Sequence, residues 1–410
     1  MFLPLMMIMA CISKPSGSGA EEKLTIPDTE NNDYPLEPMT DIDALTYFQD
    51  NALDVGWNLG NTLDAYRSGK AHETVWGNPP VNQAIFSGVK AAGFNIVRIP
   101  ISWMGNFGEG PDYHIDETYL QRVAEVVGFA HNAGLKVIIN IHHDGSTDSN
   151  GKDNGWLSMN RALKGEAEYR EVTANFRRLW TQIAAYFKNY GDYLMFESMN
   201  EIHDGGWGWR SETIQRPQYE IVNQWNQVFV DAIRSTGGNN TARFLVIPGY
   251  CTVPKHTLAD YFKLPDDLVS YDSVSHDLVS HNNKLIVTYH YYDPYEFGIL
   301  GTRHNWGSDA DKEKVVNDFK PFAEKFVDGM GIPVIMGECG AVRHPGYEQT
   351  RLDYLSFVFK TAHENKIVPI YWDNGAFAQG ETFGLFNRRS GEPQSPEFED
   401  CINAMVQAVR

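Results

Sequence analysis

Two glutamates, Glu201 and Glu338, each follow a short apolar run and stand among small, polar or aromatic neighbours. Two carboxyls facing one another across a cleft suit hydrolysis of a glycosidic bond. One arrives protonated and gives its proton to the leaving oxygen, while the other is ionised and attacks the anomeric carbon. Low dielectric and mutual repulsion drive two such pKa values apart. Glu338 sits in Ile335-Met336-Gly337-Glu338-Cys339-Gly340, where small neighbours let a ligand come close. Arg98 and Tyr292 are the side chains expected to keep it ionised, which suits a nucleophile. Glu201 follows Asn200, whose amide is expected to hold a sugar 2-hydroxyl while Glu201 gives and later takes back the proton. A lone strand-end glutamate is usually a salt-bridge partner, but two in such company weaken that reading.

The other strand ends supply polar and aromatic groups. His142, His143, His290 and Tyr292 are expected to contact sugar, or in the case of His143 to form cleft wall. Together with Asp144 and His203 the histidines also have the residue types of a metal site. Adjacent histidines on a strand point to opposite faces, however, so only one lines a barrel mouth cleanly. The reading adopted is no metal and no cofactor. Trp372 is expected to be a stacking floor, because pyranose faces carry C–H groups that pack on aromatic rings. Trp207 and Trp209, in a glycine-rich loop after Glu201, read as a leaving-group subsite, with Trp156 and Trp306 as weaker candidates of the same kind. Trp57 and Trp103 read as core or barrel-layer packing. Asn58, Asn61 and Asn374 have glycine neighbours, and either bond sugar hydroxyls or cap turns.

These residues need elements to hold them. Eight short runs, nearly all apolar, read as strands buried on both faces: Val55–Leu59, Asn95–Ile101, Val137–Ile141, Tyr193–Met199, Phe244–Ile247, Leu285–His290, Val334–Met336 and Val368–Trp372. Amphipathic stretches lie between them, as in Tyr119–Asn132, with Gly134 placed to cap its C-terminus. Strands alternating with helices predict parallel βαβ units. A doubly wound sheet would want a G-x-G-x-x-G loop after the first strand, and Gly56-Trp57-Asn58-Leu59-Gly60-Asn61 lacks it. The fold class is therefore α/β, a (β/α)8 TIM barrel, with one catalytic domain over 39–410 whose long βα loops form a cleft.

Of 410 residues, 42% are hydrophobic, 13% aromatic and 21% charged, a globular composition that excludes wholesale disorder and a coiled coil. A net charge of −19 with no basic run is a poor match for nucleic acid or an anionic membrane surface, whereas a neutral sugar is indifferent to it. Residues 1–38 read as a signal-like segment and linker. Met1–Cys11 is apolar but too short to span a bilayer, and Ile8-Met9-Ala10-Cys11 resembles a bacterial lipobox, though no Lys or Arg precedes the run. Export, with a membrane lipid anchor at Cys11, is the expectation, and the protein is expected to be a monomer. The cysteines Cys11, Cys251, Cys339 and Cys401 are too few for a disulfide scaffold.

The strand ends resemble those of glycoside hydrolase family five, a retaining barrel family. Its pattern of Arg, His, Asn-Glu, His-x-Tyr, Glu and Trp is matched by Arg98, His142, Asn200-Glu201, His290/Tyr292, Glu338 and Trp372. Finer motifs are similar to those of its subfamily four, rich in endo-β-1,4-glucanases and xyloglucanases: GWNLGNTLDA (Gly56 to Ala65), WGNP (Trp76 to Pro79), RIPISW (Arg98 to Trp103), NIHHDG (Asn140 to Gly145), GECGAV (Gly337 to Val342) and WDNG (Trp372 to Gly375). The resemblance implies Glu201 as acid/base and Glu338 as nucleophile of an endo-acting enzyme on cellulose-type glucan, mixed-linkage glucan or xyloglucan. One departure is Ile202, where the family often has proline, so the shape of the loop 202–210 stays open. A β-mannanase or xylanase of the same family, a metal-dependent hydrolase barrel, and a surface glycan-binding lipoprotein that does not cut remain as alternatives. A retaining enzyme requires the two carboxyls ~5–5.5 Å apart.

Overall fold

The computed structural model describes residues 34–410 apart from 146, 148–151, 208–211, 272–277, 281–283 and 379–380. Eight strands close into a barrel in chain order: β1 (Gly56–Leu59), β2 (Ile96–Ile99), β3 (Lys136–Asn140), β4 (Leu194–Glu197), β5 (Leu245–Pro248), β6 (Leu285–Tyr291), β7 (Val334–Cys339) and β8 (Ile367–Asp373). Every neighbouring pair is parallel, β8 with β1 included. These are the eight runs expected from the sequence, differing only at their ends.

Side chains alternate across each strand, so one parity faces the barrel interior and the other faces the helices. The interior parity begins with an apolar layer that includes Ile96, Ile138, Met195, Val246, Ile286, Ile335 and Ile370. Tyr47 and Phe48 of the helix Ala44–Asp50 close it from below. Each such fully buried side chain contributes about 1.5–3 kcal/mol. The outer parity, with Trp57, Val97, Ile139, Phe196, Val287, Met336 and Tyr371, packs against the surrounding helices in the main core.

Helices follow the strands where the amphipathic stretches indicate, among them Glu117–Asn132, Glu166–Tyr186, Glu212–Ser235, Glu348–Glu364 and Pro396–Ala408. Gly134 takes the positive φ (78°) expected of a residue just past a helix end. One boundary differs from the sequence reading. Tyr34 to Pro38, read as the end of the linker, dock on the barrel: Tyr34 stacks on Tyr190 at 3.9 Å, and the Glu37 carboxylate accepts from the Gly191 N–H at 2.7 Å. The apolar segment with Cys11 lies outside the described residues.

Candidate active site

One step up the strands the interior parity turns polar: Asn58, Arg98, Asn140, Glu197, Thr288 and His290 succeed the apolar layer at period two. Such a layer must satisfy itself, because unpaired buried charge is costly. Arg98, fully buried, does most of this. Its Nε donates to Glu197 Oε2 at 2.6 Å, Nη1 to Glu338 Oε1 at 2.7 Å and to Asn58 Oδ1 at 3.1 Å, and Nη2 to Asn200 Oδ1 at 2.8 Å. Burial works against its charge, but Glu197 and Glu338 more than offset that.

Glu338 would point outward if β7 kept strict alternation, since Ile335 and Gly337 hold the inward parity. The β6–β7 register instead shifts, with Tyr289 opposite Met336 and His290 opposite Glu338, so Gly337 is an extra residue. That bulge re-aims Glu338 into the barrel mouth. A side chain at Gly337 would meet Thr288 Oγ1 at 2.6 Å, so the bulge needs glycine.

The two glutamates meet at this mouth. One carboxylate oxygen of each, together with a ring nitrogen of His290, lies within 4.8 Å of the others, so the two carboxyls face one another at close range. His290 Nδ1 is 2.7 Å from Glu201 Oε1 and 3.5 Å from Glu338 Oε2. Tyr292 donates its hydroxyl to Glu338 Oε2 at 3.0 Å. Burial raises both carboxyls. For Glu338 this is opposed by His290 and Arg98 and reinforced by Glu201. For Glu201 it is opposed by His203, Arg98 and His143. Burial pushes His290 down to about 4, so its ring is neutral at neutral pH.

A cleft of about 680 Å³ opens over this centre, within the size range of small-molecule and cofactor sites. Of the residues proposed from sequence, Glu201, Glu338, His142, His143, Asn200, His290, Tyr292, Trp372 and Trp207 line it. Trp372 lies parallel to His142 (5.8 Å, 4°), and the half-exposed Trp207 stacks on His203 at 3.9 Å. Trp209 falls outside the described residues.

Arg98 takes the place expected of it beside Glu338, and the two readings left open for Asn58 and Asn374 resolve toward protein partners. Arg98 and Asn58 are fully buried and spend their polar atoms on protein: Asn58 Nδ2 donates to the Gly337 carbonyl at 2.9 Å. Asn374 caps a turn, its Oδ1 accepting from the Ala376 N–H at 3.0 Å and its Nδ2 donating to the Glu381 carbonyl at 2.6 Å. All three are buried, and none is among the residues lining the cleft. Trp57, Trp103 and Trp306 are buried core. Trp156 donates to Asp144 Oδ1 at 2.7 Å and is not part of the wall.

The metal-type constellation is also rearranged. Asp144 accepts from the Trp103 N–H and from Trp156, and so is committed elsewhere. Asp64, rather than Asp144, joins His142 and His143 within 4.8 Å. The second such group among the described residues is Glu201, His290 and Glu338 themselves, of which Glu338 is bonded to Arg98 and Tyr292.

Sequence reading missed Glu197 and Asn140, both hidden in β-strands, although a charge inside an apolar strand signals a buried partner. It also missed the cleft wall of Cys251, Thr252, Val253 and Lys255, and Phe383 beside Trp372.

With this geometry in place, comparison with known proteins is informative. The family model described as "Cellulase (glycosyl hydrolase family 5)" matches residues 61–378. "Endoglucanase A" of Paenibacillus barcinonensis is 35% identical over 388 residues, covering 90% of this chain and 92% of that protein. Among solved structures, a "GH5-4 broad specificity endoglucanase" from Bacteroides salanitronis is 43% identical with a TM-score of 0.79, covering 87% of this chain and 93% of its own. A "Family 5 xyloglucanase" from Paenibacillus pabuli is 36% identical with a TM-score of 0.76, covering 87% and 99%.

Proposed function

The chain belongs to glycosyl hydrolase family 5, and on that premise we propose that it is an endo-acting β-1,4-glucan hydrolase that retains anomeric configuration. Relatives named for endoglucanase and xyloglucanase activity support glucan chains, xyloglucan included, as its substrates. The observation that carries the reading is the close carboxyl pair lining one cleft, with Glu338 bound to Arg98 and, among the described residues, no arginine paired with Glu201. Glu338 is the nucleophile: Arg98 and Tyr292 favour its ionised form and hold it in line. Glu201 is the acid, then the base: among the described residues no arginine pairs with it, and its side chain is more exposed than that of Glu338.

In the first step Glu338 attacks the anomeric carbon while Glu201 protonates the leaving oxygen, forming a glycosyl ester. In the second, Glu201 takes a proton from water, which displaces Glu338. Trp372 offers the face on which the sugar ring rests, and Trp207 extends an aromatic surface on the Glu201 side. The test is reducing-end release from carboxymethyl cellulose, xyloglucan, xylan and mannan by wild type and Glu338→Ala. Release from the two glucans by wild type alone is expected, and equal release by the variant would overturn the nucleophile. Binding without release by wild type would make the protein a glycan-capture protein.

We also propose export with a lipid anchor at Cys11. The apolar run Met1–Cys11 supports it, and metabolic fatty-acid labelling that survives Cys11→Ala would refute it. The protein is also proposed to be a monomer, which sedimentation velocity checks.

A further inference from the structure

Behind the cleft, the buried amide of Asn140 holds three bonds that together dictate where a neighbouring proton lies. Its Oδ1 accepts from the Ile101 backbone N–H at 3.1 Å. Its Nδ2 is 2.9 Å from Glu197 Oε2 and 3.1 Å from His142 Nδ1. An N–H needs a carbonyl oxygen opposite it and a carboxylate needs a donor, so two independent partners settle which end of the amide is which. The NH2 group, donor only, therefore faces His142 Nδ1, and that nitrogen must accept. An imidazole that accepts at Nδ1 carries its single proton on Nε2 and is neutral.

His142 Nε2 lies on the cleft side, 3.9 Å from Glu338 Oε1, too far for a direct hydrogen bond. The ring lies parallel to Trp372, beside the space for the sugar. We infer that Asn140 is a positioning residue that locks His142 as the Nε2–H tautomer, giving the cleft a neutral, fixed donor for a sugar hydroxyl next to Glu338, and that Glu197 anchors Asn140 in turn. A charged imidazolium there would need to donate from Nδ1 into an NH2 group. It would also draw on the electron density Glu338 needs for attack. The surroundings of this ring agree: burial disfavours a positive charge on it, as do the adjacent His143, Arg98 from β2 and His290 from β6, while the carboxylates near it are Glu338 from β7 at 3.9 Å and Asp64 within 4.8 Å.

The rate consequence rests on Glu338 being the nucleophile, whereas the tautomer does not, so two measurements separate them. Long-range proton–nitrogen correlation on histidine-labelled protein, assigned with His142→Gln, is expected to show His142 protonated on Nε2 alone at neutral pH. An Nδ1–H or imidazolium signature in wild type overturns the inference whether or not the enzyme cuts glucan. Asn140→Asp exchanges the donor for an acceptor at constant shape. It is expected to reverse the tautomer and lower kcat about 10²-fold, with little change in KM. In the His142→Gln background the same change is expected to cost markedly less than in wild type, the remainder coming from the new carboxyl facing Glu197 Oε2. An equal loss in both backgrounds, or wild-type kcat with the tautomer unreversed, refutes action through His142.

Discussion

Glu338 and Glu201 are the same side chain on opposite sides of one cleft, held in opposite ways. Glu338 stands on a strand, aimed by a bulge, with Arg98 behind it and Tyr292 beside it. Arg98 is itself fixed by Glu197, Asn58 and Asn200, so the nucleophile side is a closed polar network rooted in the barrel. Glu201 stands beyond the end of its strand, with His290 as its close partner. The wall on its side contains three residues with positive φ, Trp207, Cys251 and Thr252, and such backbone clusters at functional sites. The attacking oxygen must be placed to a fraction of an ångström, whereas a proton donor must tolerate changing partners between the two steps. Environment, more than residue type, assigns the two roles.

Four experiments sharpen or break that contrast. The largest effect is expected for Glu338→Ala, about 10⁴-fold or more in kcat, measured as reducing-end release. Azide added to this variant should attack from the vacated face and give the α-glycosyl azide. The β product would place the nucleophile elsewhere. Glu201→Ala is expected to lose about 10²–10⁴-fold on polysaccharide, but far less on an aryl cellobioside whose phenolate leaves without a proton. Equal losses on both substrates would mean that Glu201 is not the acid.

Arg98→Met comes next. Without the cation, burial and Glu201 push the Glu338 carboxyl further up. Because Glu338 must be ionised, activity is lost as pH falls through its pKa, so the acid limb of the kcat/KM profile should move to higher pH. The basic limb, where activity is lost as Glu201 ionises, should move less. The variant also strands Glu197, at a cost of about 3–5 kcal/mol in denaturant unfolding. An unmoved acid limb would separate Arg98 from the nucleophile's ionisation. Trp207→Ala should be smallest: KM for long glucans rising about tenfold or less, in line with one aromatic contact of about 0.5–1.5 kcal/mol, and an unchanged melting temperature because the ring is half exposed.

Much of this site was legible in the residues. Glu201, Glu338, Trp372, His142 and His290 follow apolar runs whose lengths and β-branched content mark strands, and barrel strands deliver their C-terminal ends to one mouth. Arg98 was legible together with its role beside Glu338, whereas Asn58 and Asn374 were legible as members of the site with two roles open. A polar side chain at a strand end looks the same in sequence whether it faces a glycan or a carboxylate one layer below. Glu197 and Asn140 were missed because each stands within a largely apolar strand run, and their partners, Arg98 for Glu197 and each other, come from other strands.

Pattern and residue type alone determined the barrel, the pair of glutamates and the family, because hydrophobic period, turn residues and strand-end motifs are local properties of the chain. Closure of the barrel decided the rest. It laid Asn58, Arg98, Asn140 and Glu197 in one buried layer, with a bulge to aim Glu338 above it. Which of two carboxyls is bound to a cation, and which nitrogen of a histidine carries a proton, depends on contacts across the barrel between residues far apart in the chain. Hydrogen bonding and charge in a low-dielectric interior act over a few ångströms of space, and only the folded chain sets those distances.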